Sequence, residues 1–211
     1  MAEFPLFTPD EVQSGLARMG RAKSLGLALF PVDMFRRAPA AVYALVADLF
    51  TAFACHGYPR RLNTLLMMAV YKSRGDRTLC DNYRGISLIH PLGRWFSKCV
   101  ELRLVEDAGA TRARGQAGFR RGYRVEDNVV VLQATSQAAS IDRSPLFAAF
   151  IDLQKAYDCI DRGLLFTAFV EELGVSPAMV AALQHLYTDV RAQVLHGSDL
   201  SVAFPLRRGV L

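Results

Sequence analysis

Tryptophan occurs once, and histidine and cysteine four times each, in 211 residues. The four thiols, Cys55, Cys80, Cys99 and Cys159, show no C-x-x-C spacing and no histidine set beside them, which excludes a zinc finger or ribbon. They read as buried thiols of a reducing compartment. No apolar stretch reaches the roughly 18 residues of a membrane span, and the opening MAEFPLFTPDE lacks the basic-then-apolar order of a signal peptide. The expected location is therefore intracellular, nucleus or cytoplasm, with no membrane partner. Charged residues are scarce, 21% against 52% hydrophobic, which excludes a disordered chain. There is no internal repeat, no low-complexity tract and no adjacent pair of aspartates.

What is present is basic. Lysine and arginine outnumber the acids 25 to 20, giving a net charge of +5, which suits a polyanionic partner. The arginines come in groups: Arg36-Arg37, Arg60-Arg61, Arg112 with Arg114, Arg120-Arg121 with Arg124, and Arg207-Arg208. For any single pair, solvated surface is the better explanation.

Local signals predict a mixed chain. Thr8-Pro9-Asp10-Glu11 forms a capping box that opens a helix to about Met19, a short helix lies near Val32, and Pro39 opens a helix with Leu45, Val46, Leu49, Phe50 and Phe53 on one stripe. Leu65–Tyr71 and Arg84–Ile89 read as strands joined through a Gly75-Asp76 turn. His90-Pro91 starts a helix carrying Leu92, Trp95, Phe96, Cys99 and Leu102, and a looser helix covers about Val125 to Ala139. Asp161 caps a helix through Leu173 with Gly174 as its stop, Ser176-Pro177 caps another to about Thr188, and VRAQVL, HGSD and LSVAFPL read as a hairpin whose Pro205 belongs at an edge or a strand end.

The stretch AAFIDLQKAYDCIDR, Ala148 to Arg162, carries the chemistry. LFAAFI, residues 146–151, is a continuous apolar run that reads as a strand covered on both faces. Asp152 stands at its far end, where a carboxylate is costly unless something satisfies it and where αβ arrangements place ligands and metals. Capping of the next turn would also account for that acid.

Phe150, Asp152, Ala156, Tyr157 and Asp158 spell F-x-D-x-x-x-A-[FY]-D, which resembles the first catalytic motif of reverse transcriptases, especially those of non-long-terminal-repeat (LINE-type) retrotransposons. Tyr71 to Ile89 is similar to that family's K-x-x-G-D segment and the N-Y-R-P-I-S-L that follows it. Gln116 to Asp127 resembles its Q-x-G-F-R-x-G segment, and Phe204 to Leu211 looks like the approach to G-V-x-Q-G. The motifs stand in the family's order.

The resemblance implies an α+β fold: an incomplete right-hand polymerase, fingers and the first part of the palm, with helices packed on a small, mostly antiparallel sheet. Residues 1–60 would be an N-terminal helical region, 61–140 fingers-like and 141–211 a partial palm. The implied function is that of a retrotransposon reverse transcriptase, an RNA-directed DNA polymerase acting on an RNA template, a DNA primer and deoxynucleotide triphosphates by two-metal nucleotidyl transfer. Asp152 would be the catalytic carboxylate and a ligand of Mg²⁺, with the backbone carbonyl of Leu153 beside it. Tyr157 would lie under the nucleotide sugar and leave no room for a 2′-hydroxyl. Arg84 and Lys72 would hold the triphosphate, and Gln116, Gly118 and Phe119 would face the template or the new base pair. Asp158 and Asp161 are expected to be structural.

Three departures qualify these expectations. The family's K-A-P-G-P-D-G appears as KSLGLALFP, Lys23 to Pro31, and Gly85 replaces a commoner proline. The aromatic-x-D-D hairpin that completes the two-metal site is missing, and Glu171, Glu172, Asp189 and Asp199 read as solvated surface, so the expectation is a domain truncated before that motif and without activity by itself. A nucleic-acid-binding or inert remnant is the alternative. An aspartyl phosphotransferase would want a second acid two positions after Asp152, where Gln154 stands.

Overall fold

Pro9, Pro91 and Pro177 each open a helix at its first position, where a missing N–H costs nothing. In this computed structural model, which describes residues 4–20, 31–108, 115–120 and 122–210, helix α1 spans Pro9–Arg18 behind the expected Thr8–Glu11 capping box. A 3₁₀ turn at Val32–Arg37 leads to α2, Ala40–His56. Strands β1, Thr64–Tyr71, and β2, Tyr83–Leu88, form an antiparallel hairpin. Helix α3 is Pro91–Asp107, α4 Val125–Ile141, α5 the single turn Ala156–Cys159, α6 Arg162–Glu171 and α7 Pro177–Tyr187. Strands β3, Arg191–His196, β4, Asp199–Leu200, and β5, Phe204–Pro205, follow.

The sheet runs β2-β1-β3-β4, with β5 also on β3. Only the β1–β3 pairing is parallel, and Pro205 sits in the short end strand β5, opposite Arg191. The chain divides into two compact units, Met1–Gly109 with Tyr157–Leu211, and Ala110–Ala156.

In the first unit α1, α2, α3 and α7 surround an aromatic core of Phe7, Phe50, Phe53, Tyr58, Trp95 and Phe96. The rings meet mostly edge to face, as between Phe50 and Trp95 at 5.5 Å, while Tyr58 stacks on Phe96 at 5.8 Å. The Trp95 indole donates to the Val12 carbonyl at 2.8 Å, so the one tryptophan is satisfied as well as buried. Helix α2 turns a slightly different face inward than its expected stripe. Tyr43, Val46, Phe50 and Phe53 are buried, whereas Leu45 and Leu49 are exposed, because Trp95 lies against Tyr43 and Phe50. A smaller cluster of Leu65, Val190 and Ala192 lies on the sheet. Buried Asn63 joins sheet to helices, donating to the carbonyls of Leu186 and Thr188 at 3.0 and 2.9 Å.

The second unit holds α4, which buries none of its residues. Residues 144–153 have no regular secondary structure, and Phe147, Phe150 and Ile151 are almost wholly exposed. The expectation of a two-sided buried strand at 146–151 is therefore corrected. A strand persists only with ladder partners, and none of the described strands pairs with this run. The thiol expectation is corrected too: Cys99 is buried, but Cys80 and Cys159 are exposed.

Candidate active site

The K-x-x-G-D segment closes the β1–β2 hairpin, and its residue types explain the loop. Gly75 takes φ +79°, a left-handed backbone, and a Cβ there would meet the Asn82 side chain at 2.6 Å. Asp76 accepts from the Thr78 N–H at 2.8 Å, a hydrogen bond that lowers its pKa, and Asn82 donates back to the Asp76 carbonyl at 2.7 Å. Tyr71 and Tyr83, paired across the strands, bond the Gly75 and Arg77 carbonyls, and Arg77 lies over the Tyr71 ring. Asn82 is the loop's clasp, a role the motif signalled only by asparagine preceding Tyr83.

Arg84 and Lys72 stand on the two sides of this loop end of the hairpin. Arg84 pairs with Val70, one step from the tyrosine pair, so it projects from the opposite face of the sheet and is exposed. Lys72 follows directly on β1. Its ammonium donates to the Asp81 carbonyl at 2.6 Å, so engaging a phosphate requires it to leave the loop.

Tyr157 lies in the single turn α5, with its side chain half exposed. Its carbonyl accepts from the Val210 N–H at 3.0 Å, and the Ile160 carbonyl accepts from Gly209 at 2.9 Å. The approach to G-V thus packs on the Tyr157–Ile160 turn. Asp161 caps α6 through a 3.1 Å bond from the Leu164 N–H, the structural role expected of it.

In the second unit Gln116, Gly118 and Phe119 form an exposed turn. Nothing lies within 4 Å of a Cβ built on Gly118, and Phe119 adopts φ +58° with 92% of its surface open. A left-handed backbone is uncommon for a phenylalanine. Asp152 and Leu153 are exposed in the irregular stretch after Ile151. Among the described residues no three histidine, cysteine or acidic side chains are grouped as metal ligands. The altered segment Lys23 to Phe30 lies outside the described residues.

Over 165 residues, 76% of its length, the chain is 26% identical to the RNA-directed DNA polymerase from mobile element jockey of Drosophila melanogaster, and it spans only 18% of that relative. The similarity supports a reverse-transcriptase-like relationship. No family model matches the chain. Mixed helix and sheet are compatible with the expected α+β class, and no helix among the described residues is long and apolar enough to cross a membrane.

The acids Glu171, Glu172, Asp189 and Asp199 are all exposed, as expected, and Asp189 pairs with Arg60 at 2.7 Å. Sequence reasoning missed Arg162. Its guanidinium reaches carbonyls of Gly209, Tyr187 and Arg208 and lies 4.9 Å from the Tyr187 ring centroid. The only signal was a basic residue at the first position of α6, where the helix dipole disfavours it.

Proposed function

We propose that the chain is the fingers and first palm portion of a mobile-element reverse transcriptase, holding an RNA template, a DNA primer and an incoming deoxynucleotide. The observation that carries this reading is the relationship along 76% of the chain to an RNA-directed DNA polymerase, together with motifs in the same order. Arg84 meets the triphosphate with a planar fork of donors, and Lys72 joins it on leaving the Asp81 carbonyl. Tyr157 closes the space where a 2′-hydroxyl would project. Gln116, Gly118 and Phe119 contact the template, with Gly118 letting a backbone approach and Phe119 stacking on a base.

Asp152 is the residue that would hold Mg²⁺, with the Leu153 carbonyl beside it; both are hard oxygen donors, as that ion requires. When bound, Mg²⁺ neutralises charge on the phosphates and aligns them. Asp152 is the one acid assigned to that task, so the isolated chain binds its substrates but incorporates nucleotide slowly or not at all.

The test is binding of the 211-residue chain to an RNA template annealed to a DNA primer, followed by anisotropy across a salt series. The expected result is tighter binding to the hybrid than to duplex DNA of the same sequence, with log K falling linearly with log salt as counterions are released. Hybrid binding no stronger than that of a neutral control at low salt would overturn the reading.

A further inference from the structure

Among the described residues Arg162 donates to backbone carbonyls. Nε donates to the Gly209 carbonyl at 2.8 Å, Nη2 to Arg208 at 3.2 Å and Nη1 to Tyr187 at 3.3 Å. The guanidinium lies over the Tyr187 ring, 4.9 Å from its centroid, and burial lowers its pKa against the raising effect of Tyr187. Guanidinium groups in such surroundings keep their charge and pull on each carbonyl more strongly than a neutral donor would.

The segment it grips is the one that fixes Tyr157. Gly209 and Val210 donate to the carbonyls of Ile160 and Tyr157, closing a short two-bond bridge. Gly209 has φ +84°, and a Cβ there would lie 3.0 Å from both the Asp158 Cα and the Tyr157 carbonyl oxygen. The contact is therefore backbone against backbone, with no side chain to cushion a shift. Arg162 ties the far side of the same segment to the end of α7, and Leu206 anchors its start through a 2.8 Å bond to the Val190 carbonyl. Moving Arg208 and Gly209 by a fraction of an ångström moves the backbone that carries the Tyr157 ring.

We propose that Arg162 is a positioning residue that sets the height of the Tyr157 ring, through Gly209 and Val210, and thereby the preference for deoxy- over ribonucleotides. This inference rests on the proposed role of Tyr157 at the nucleotide sugar. Arg162 itself touches no substrate. It acts on selectivity, and its effect on overall nucleotide affinity is small.

The test uses the 211-residue chain on a primed RNA template with Mg²⁺. A fluorescent deoxynucleotide is displaced by dATP or by ATP, and the ratio of the two affinities is read. Arg162→Ala is expected to lower the dATP preference about tenfold, the order expected when a contact is misplaced by part of an ångström. Arg162→Lys, which keeps the charge but not the fork, is expected to fall between. Hydrogen exchange at the Val210 amide should speed up in both variants. Gly209→Ala, which disturbs the same bridge from its other side, should lower the ratio too.

Tyr157→Val separates the two failures. A wild-type ratio that Tyr157→Val leaves unchanged overturns the sugar-facing role of Tyr157 and this inference with it. A ratio lost in Tyr157→Val but kept in Arg162→Ala and Arg162→Lys overturns this inference alone. Equal weakening of dATP and ATP in the Arg162 variants also overturns it, since that is the result of a merely structural arginine.

Discussion

Replacing Arg103 with methionine removes the tie between α1, α3 and the residues before α1. Its guanidinium meets both Glu11 carboxylate oxygens, at 2.6 and 2.8 Å, donates to the carbonyls of Pro5 and Leu6, and lies over the rings of Phe4 and Phe7. The arginine is 12% exposed and the glutamate 36%. Breaking a fully buried pair costs about 3–5 kcal/mol and an exposed pair at most about 1 kcal/mol, so this half-buried one is expected to cost about 2 kcal/mol. Loss of the two carbonyl bonds brings Arg103→Met to about 3 kcal/mol, a fall in Tm of about 6–12 °C for a chain of this size. Glu11→Gln keeps the capping geometry and is expected to cost about 1 kcal/mol. The pair also sets a pH dependence. Arg103 holds the Glu11 carboxyl below its usual value of 4.5, against the opposing effect of burial. The folded state thus binds its proton later than the unfolded chain, and the stabilisation is present above pH 4.5 and lost as pH falls through the folded value. Urea titrations followed by circular dichroism at pH 7 and pH 4 measure this directly. A destabilisation of Arg103→Met below about 0.5 kcal/mol at pH 7, the range of an ordinary surface change, or a loss between pH 7 and pH 4 equal to that of wild type, would refute the reasoning.

A methyl group on Gly93 would overlap the Tyr58 hydroxyl, which is buried without a hydrogen-bond partner among the described residues. Gly93→Ala is expected to destabilise by about 1–3 kcal/mol, while Tyr58→Phe is neutral or stabilising and relieves Gly93→Ala in the double variant; additive costs in thermal melts would contradict this. His90 caps α3 by accepting the Leu92 N–H at Nδ1, and burial, followed by Arg94, lowers its pKa from 6.5. The unfolded chain then takes up the proton first, so stability is full above pH 6.5 and declines as pH falls towards the folded value; His90→Asn keeps a cap and should flatten that part of the urea-midpoint profile. Burial pushes the Cys99 thiol up to about 12, whereas Cys80 and Cys159 are exposed. A thiol-specific chromogenic reagent should modify those two rapidly and Cys99 only on unfolding, and rapid modification of Cys99 in the folded chain would show that its burial is wrong.

Elements with their own punctuation were legible from residues alone. Thr8-Pro9, His90-Pro91, Asp161 and Ser176-Pro177 each combine a cap with a helix start, and all four helices begin there. The β1–β2 hairpin was legible because the apolar run at Leu65–Tyr71, the Gly75-Asp76 turn and the extended piece after it agree. The run at 146–151 was misread because a continuous apolar stretch specifies burial only when partner strands exist, and composition carries no information about partners. Leu45 and Leu49 misled for a related reason: a helix that is apolar on most sides does not reveal which side meets Trp95. Within the candidate site, motif order marked Arg84, Tyr157 and Asp152. It did not mark Arg162, and it included Asn82 and Gly209 without showing their roles, which arise from backbone carbonyls brought close by folding.

In the proposed function Asp152 grips Mg²⁺ on behalf of an incoming deoxynucleotide. The direct measurement is the affinity of dATP for the chain on a primed RNA template, with millimolar Mg²⁺ and with chelator, in wild type and in Asp152→Asn. Mg²⁺ is expected to tighten binding about tenfold or more in wild type, equivalent to about 1.4 kcal/mol, and to leave the affinity of Asp152→Asn unchanged. The same Mg²⁺ enhancement in Asp152→Asn would contradict it.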